Sequence, residues 1–161
     1  GALDSLVTLA AGQTLTLDSI TDFDGAANDA ANQGGFDIAS ATTVTSVSLT
    51  IDGVGAFTAL DVDHDLDLDI TGAGVTTLNL TSTNTNFISL ANAGAEMTAL
   101  NVVGAGALTI QGALANSIVT VNAGTATGNV TLTTGAGNDT ITGGTGDDNF
   151  TIGSKRPHTL L

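Results

Sequence analysis

Two glycine-rich stretches near the C-terminal end of the chain carry oxygen ligands at a spacing that suits a hard metal ion. Residues 134–142 read TGAGNDTIT and residues 143–151 read GGTGDDNFT, so the second stretch follows the first without a gap. Glycines allow such turns to adopt positive φ and bring backbone carbonyls inward. Calcium takes about six to eight oxygen ligands, which carbonyls and carboxylates can supply. Asp139 and Asp148 provide negative charge, and we therefore expect Ca²⁺ at these turns.

Short strands must hold these turns in place, and the sequence upstream repeats a strand-like pattern. Ile141 and Phe150 follow the two turns and are expected to point into a core. Four earlier segments alternate apolar residues with Thr, Asp or Asn, and each is followed by a second short alternating segment. Matching positions lie 18, 22 and 21 residues apart in the segments 57–62, 75–80, 97–102 and 118–123.

A period near 20 residues with two strands per period predicts an all-β parallel β-solenoid, or β-roll. We expect coils of roughly 18–22 residues with two short strands each, and a less regular β-rich part at the N-terminus. An antiparallel sandwich could use the same strands, but it has no need of a repeated period. Stacked coils would align equivalent polar residues. The expected row contains Ser48, Asp61, Asn79, Asn101 and Asn122.

The two abutting nine-residue copies fit the pattern G-G-x-G-x-D-x-U-x, where U is a large apolar residue, with Thr134 replacing the first glycine. They resemble the RTX (repeats-in-toxin) family, in particular its surface-layer and adhesin branch. The resemblance implies a right-handed parallel β-roll, calcium bound between turns of successive coils, and type I export. It assigns ligands to the carbonyls of Gly135, Gly137, Gly144 and Gly146 and the carboxylates of Asp139 and Asp148, with Asn138 and Asp147 as peripheral candidates.

Four segments are expected along the chain. Residues 1–43 form an irregular β-rich part with a polar loop, and residues 44–133 form degenerate solenoid repeats. Residues 134–153 form the calcium-binding turns. Residues 154–161, SKRPHTLL, contain both basic residues, the single Pro and one of the two His. This abrupt change of composition indicates a tag or foreign tail.

Composition and charge exclude several classes of protein. Sixteen acidic residues against two basic residues give a formal charge of −14, which repels phosphate and disfavours nucleic acid as a partner. With one Glu and one Lys, a helical protein is not expected. There is no cysteine, and no apolar run is long enough for a membrane span, so we expect no membrane insertion. A soluble acidic protein from a salty habitat would explain the charge but not its placement.

Two further acidic groups are weaker candidates for cation binding. Asp22 and Asp24 begin a loop whose other polar residues could help them hold a metal ion. Residues 61–69, DVDHDLDLD, place an Asp at every odd position, and the alternative there is a solvated acidic edge that blocks strand pairing. A catalytic serine triad would need His64, but nothing in the sequence marks a nucleophile elbow, and we expect no enzymatic activity.

These observations together predict a non-catalytic, calcium-stabilised structural or adhesive segment of a larger secreted bacterial protein, extracellular or at the cell surface. Expected partners are calcium, further copies of the chain, and cell-surface polysaccharide or lipopolysaccharide. The alternative is the calcium-binding C-terminal module of a type I-secreted protease or lipase whose catalytic domain lies outside this chain. A flat Thr-rich face for ice or carbohydrate, built on Thr58, Thr76, Thr98 and Thr120, is a third hypothesis, for which we expect no activity.

Overall fold

The computed structural model describes residues 5–19, 35–40, 43–55, 66–71, 74–90, 96–153 and 158–161. These residues form fourteen short strands and no helix. The strands are β1 (Ser5–Leu9), β2 (Thr14–Asp18), β3 (Gly35–Ser40), β4 (Ser46–Asp52), β5 (Leu66–Thr71), β6 (Thr77–Thr83), β7 (Asn86–Ser89), β8 (Ala99–Gly104), β9 (Leu108–Ala113), β10 (Thr120–Ala126), β11 (Val130–Thr133), β12 (Thr140–Thr142), β13 (Asn149–Thr151) and β14 (Thr159–Leu160).

The strands alternate between two seven-stranded sheets along the chain. The odd-numbered strands form one sheet in sequence order, and the even-numbered strands form the other. Every strand pair is parallel. Each coil therefore contributes one strand to each sheet and stacks on the coil before it. The predicted parallel β-solenoid is confirmed, and the antiparallel sandwich is excluded for this part of the chain.

The core lies between the two sheets and consists of thin layers of small and branched side chains. Along β6 buried and half-buried residues alternate strictly, which is the pattern of a strand with one face in the core. One row of the even-numbered sheet shows how coils stack, because Val47, Leu78, Leu100, Val121 and Ile141 follow each other in register. All five are at most 2% exposed. Removing this apolar surface from water is the main stabilising contribution of the stack.

Coil length falls along the chain. Thr14 pairs with Ser48, 34 residues further on, and the next step in the same sheet, from Ser46 to Thr77, spans 31. Thr77 then pairs with Ala99 after 22 residues, and in the other sheet Thr131 pairs with Asn149 after 18. The expected length of 18–22 residues holds from β6 onward. The earlier coils are longer because their connections include residues 20–34 and 56–65, which lie outside the described residues.

The predicted polar row is confirmed with one correction. Ser48, Asn79, Asn101 and Asn122 follow each other in register across β4, β6, β8 and β10. The amide of Asn101 donates from Nδ2 to Oδ1 of Asn79 at 2.8 Å. Ser48 pairs directly with Asn79, so the expectation that Asp61 stands between them is wrong. The segment 57–62 resembles the later strands in pattern, but β4 and β6 are already neighbours, and the segment lies outside the described residues.

Strands of all four predicted segments join the same two sheets. β1 pairs with β3, and β2 pairs with β4, so the N-terminal strands stack as the later ones do. At the other end β14 pairs in parallel with β12, with Thr159 beside Thr140 and Leu160 beside Ile141. The division into segments, and the foreign origin of residues 154–161, remain predictions.

A buried asparagine joins two coils, and the sequence pattern did not single it out. Asn86 at the start of β7 is fully buried. Its Nδ2 donates to Oγ of Ser82 at 2.8 Å and to the carbonyl of Thr83 at 2.7 Å. Its Oδ1 accepts the N–H of Val54 at 2.9 Å, across 32 residues of sequence. The side chain thus satisfies backbone groups that would otherwise be buried without partners.

Replacing Asn86 by Ala is expected to lower the free energy of unfolding by about 2 kcal/mol, because it leaves the N–H of Val54 and the carbonyl of Thr83 without this partner. The matched control is Asn101→Ala, which removes one half-buried hydrogen bond and should cost about 1 kcal/mol or less. Urea denaturation of both variants in calcium measures the difference. Equal losses would show that the Asn86 bonds contribute no more than the Asn ladder.

Candidate metal centre

The two glycine–aspartate turns lie on opposite sides of the stack. Residues 134–139 connect β11 to β12, and residues 143–148 connect β12 back to β13. The strand registers fix the neighbours of each aspartate. Thr140 pairs with Thr120 and with Thr159, so Asp139 stands in a column between Val119 and His158. The pairing of Thr131 with Asn149 likewise places Asp148 beside Val130 of the preceding coil.

Asp139 is a buried carboxylate without a hydrogen-bond donor. The residue is 2% exposed, and neither Oδ1 nor Oδ2 has a hydrogen-bond partner. Nδ1 of His158 lies 3.3 Å from Oδ2. The same nitrogen accepts the backbone N–H of Asp139 at 3.3 Å, and the two carboxylate oxygens accept no hydrogen bond. The Asp139 carboxylate is therefore buried without a hydrogen-bond donor, and a bound cation would compensate for the loss of its hydration.

Asp148 has a different environment in the same motif position. Its Oδ1 accepts the N–H of Val130 at 2.9 Å, and its Oδ2 accepts the N–H of Gly144 at 2.8 Å. The first bond joins two coils, and the second closes the turn on itself. The next residue back, Asp147, is exposed, and its N–H donates to Oδ1 of Asn129 at 2.9 Å.

The motif glycines are required for close approach rather than for left-handed backbone. None of Gly135, Gly137, Gly144 and Gly146 has a φ in the left-handed region, so the expectation of positive φ is wrong for them. A Cβ on Gly135 would lie 2.7 Å from the carbonyl oxygen of Leu114, and one on Gly146 would lie 2.6 Å from that of Gly128. A Cβ on Gly144 would meet the carbonyl of Ala126. Only glycine lets these turns stack so tightly.

A Ca²⁺ ion fits the donor set around Asp139. The described residues contain no group of three or more His, Cys, Asp or Glu placed to hold a metal. The other ligands would therefore be backbone oxygens or uncharged side-chain oxygens, both of which calcium accepts readily. Gly137 lies against the carboxylate, since a Cβ there would be 2.7 Å from Oδ1 of Asp139. The assignment of individual carbonyls, and of the exposed Asn138 and Asp147 as peripheral ligands, remains a prediction.

The weaker acidic candidates are only partly covered by the structure. Asp22 and Asp24 lie outside the described residues, as do His64 and the first half of the acidic row 61–69. In the second half, Asp69 of β5 pairs with Asp37 of β3, and both are half-buried. Two carboxylates side by side disfavour each other, so this pair is a place where positive charge would stabilise the stack.

The fold and these turns define a class: an all-β parallel solenoid in which the two connections around β12 are glycine–aspartate turns. Residues 125–150 match the family model of the RTX calcium-binding nonapeptide repeat (4 copies). The chain therefore carries RTX calcium-binding repeats, and the resemblance to the RTX family is confirmed for these repeats. RTX repeats occur in secreted proteins. The chain matches no curated protein and no solved structure.

The family match begins before the two copies found in the sequence. Residues 125–133, TATGNVTLT, have Gly128 and Leu132 where the later copies have glycine and the large apolar residue. Val130 replaces the aspartate, so this copy does not fit the motif. The signal that could have found it is spacing, because Gly128 precedes Gly137 and Gly146 by nine and eighteen residues.

Within the parts of the chain that the structure describes, there is no helix with the length and apolar character needed to cross a membrane.

Proposed function

We propose that this chain is a non-catalytic structural segment of a larger secreted surface protein, of surface-layer or adhesin type, in which calcium stiffens the stack and copies contact each other. The observation that carries the proposal is the buried Asp139 carboxylate, which has no hydrogen-bond donor and lies within a column of stacked turns. A divalent ion there would join coils by ligands rather than by disulfides, in a chain that contains no cysteine.

The hydrogen-bonding side chains support a structural role, because they act on the stack itself. Asn116 accepts the N–H of Ala136 through Oδ1 at 2.7 Å, twenty residues further on. Asn129 accepts the N–H of Asp147 in the same way. With Asn86 and Asn101, these side chains each bind a neighbouring coil. An equivalent stack would also serve as the calcium-binding module of a secreted protease or lipase, and the complete parent gene distinguishes the two.

The outer face of the even-numbered sheet favours contact between copies. From β6 to β12 its outward residues are uncharged, including the rows Thr77–Ala99–Thr120–Thr140 and Asn79–Asn101–Asn122–Thr142. The described carboxylates lie in turns or on the first coils instead. They are Asp18, Asp37, Asp52, Asp69, Glu96, Asp139, Asp147 and Asp148. Copies that each carry a charge of −14 can meet at this face without placing carboxylates opposite each other.

This face is not the single threonine row that the sequence suggested. The N–H of Thr98 donates to the carbonyl of Thr76, and the N–H of Val119 donates to that of Thr98. Thr120 pairs with Ala99 and so belongs to the adjacent row. A second copy is the occupant we assign to the face, because extended flat rows of Thr and Asn are complementary to themselves.

Sedimentation velocity in calcium tests this function. The wild-type chain is expected to associate with a Kd on the order of micromolar, about −8 kcal/mol. Thr120→Asp places a charge on the even-numbered face, next to Ala99 and Thr140, and should abolish association. Thr131→Asp is the matched control on the opposite sheet, between Thr109 and Asn149, and should leave association unchanged. A wild-type chain that stays monomeric, or a loss confined to Thr131→Asp, would reject the assigned face.

A further inference from the structure

We propose that the two aspartate turns have different roles: Asp139 binds the calcium ion, whereas Asp148 closes its turn through amide hydrogen bonds and does not require an ion. The proposal rests on the calcium binding of the repeats and assigns it to one of two turns that share a motif. The copy that departs from the motif, with Thr134 at its first position, is the copy that binds.

The preceding coil determines the difference. Beside Asp148 the preceding coil presents Val130, whose N–H is directed to the carboxylate at 2.9 Å. Beside Asp139 it presents Val119, whose N–H already donates to the carbonyl of Thr98 at 3.1 Å. One aspartate thus has a backbone donor from the neighbouring coil, and the other has none. A charge-assisted amide bond meets the need of a carboxylate that calcium would otherwise meet.

The first residue of each turn also determines where the aspartate carboxylate of that turn lies. A Cβ on Gly143 would lie 2.9 Å from Oδ2 of Asp148, so glycine there leaves the space into which this carboxylate folds. Thr134 occupies the same position in the other turn and is buried. Its Oγ1 donates to the carbonyl of Gly135 at 3.3 Å and accepts the N–H of Gly153 at 3.2 Å. Asp139 instead lies towards Gly137, and neither of its oxygens accepts a hydrogen bond.

The chemical consequence is that the two carboxylates compete differently for an ion. Calcium at Asp139 would displace no hydrogen bond of that side chain. It would also neutralise the charge of a carboxylate whose residue is only 2% exposed. Calcium at Asp148 would compete with the N–H groups of Val130 and Gly144 for the same two oxygens. Affinity for calcium should therefore depend on Asp139, and stability without calcium should depend on Asp148.

Calcium titration and thermal unfolding of the full chain separate the two roles. Asp139→Asn is expected to lower calcium affinity by at least about tenfold, because it removes the negative charge that the described residues bring to the site. Its melting temperature in EDTA should match or exceed that of wild type. Asp148→Asn should keep calcium affinity within about threefold and melt at a lower temperature in EDTA, because it loses charge-assisted bonds. The control Asp18→Asn changes an exposed charge on β2 and should alter neither quantity.

The results distinguish a chain that binds no calcium from a chain that binds calcium without dividing the roles of the two aspartates. A wild-type chain that takes up no calcium by equilibrium dialysis would remove the calcium role itself. Equal loss of affinity in the two variants, or a larger loss in Asp148→Asn, would leave calcium binding in place and overturn the division of roles. Gly143→Ala is a second probe of Asp148, since its methyl displaces only the end of that side chain. It should melt earlier in EDTA with calcium affinity within about threefold of wild type, and a tenfold loss of affinity would overturn the inference.

Discussion

Chelating calcium with excess EDTA is expected to lower the free energy of unfolding by about 4 kcal/mol, relative to a sample with free calcium at about a thousand times its Kd. For a chain of this length the midpoint of thermal unfolding should fall by about 10 °C. Circular dichroism melting curves in the two buffers measure the shift, and the β signal at low temperature shows whether the stack persists.

The expected loss follows from the position of Asp139. In the folded chain its carboxylate is buried without a hydrogen-bond donor, whereas in the unfolded chain water solvates it. Burial of an uncompensated charge opposes folding, and an ion that binds only the folded stack opposes unfolding. Calcium therefore both removes a penalty and adds a link between coils.

Magnesium is the control for a nonspecific effect of divalent charge. A formal charge of −14 would be screened by either ion, but Mg²⁺ requires near-octahedral geometry and keeps several of its waters. Magnesium should restore less than half of the lost stability. Melting curves that coincide in calcium and EDTA, or full recovery in magnesium, would contradict a specific site at Asp139.

The architecture was predictable because one physical requirement repeats along the chain. Apolar residues that alternate with Thr and Asn at a period near 20 can bury one face only by stacking, and the row Asn79–Asn101–Asn122 followed from that period. The first coils were less predictable because their length is set by insertions between strands. Segment 57–62 has the right alternation, yet pairing is decided by which strands close the stack, and β4 already pairs with β6.

The sequence predicts which residues of the site carry carboxylates, but not which hydrogen-bond donors surround each carboxylate. The motif places Asp139 and Asp148 equivalently, and the nine-residue spacing predicts both as ligands. Their difference comes from Val119 and Val130, which lie 20 and 18 positions earlier in the sequence. The N–H of Val119 donates to the carbonyl of Thr98, whereas the N–H of Val130 donates to the carboxylate of Asp148. Such information lies in the register between coils, and a motif read within one turn does not contain it.

The roles of the glycines also depend on contacts between coils, which the sequence of a single turn does not contain. Sequence alone explains them as turn residues, which is a statement about their own backbone. Gly106, Gly128 and Gly146 instead form a column at one side of the stack, and each is held against the backbone of the coil before it. A Cβ on Gly128 would meet the carbonyl oxygen of Gly106, and it would lie 2.6 Å from the carbonyl carbon of that residue. The contact limits how closely two coils approach.

Gly128→Ala is accordingly expected to lower the free energy of unfolding by about 3 kcal/mol or more, because the atoms it meets are backbone and cannot rotate away. Opening the coil spacing there would also pull apart the pairs on either side of the turn, β8 with β10 and β9 with β11. Urea denaturation in calcium measures the loss through the midpoint and slope.

The matched control is a glycine whose replacement by alanine strains the backbone but causes no clash. Gly112 has a φ of +70°, and a Cβ there would have no neighbour within 4 Å. Gly112→Ala should therefore cost only the left-handed strain of an alanine, about 1–2 kcal/mol. A loss at Gly128 no larger than that at Gly112 would mean that the coils can separate freely. Stacking contact between turns would then not be what holds this end of the solenoid together.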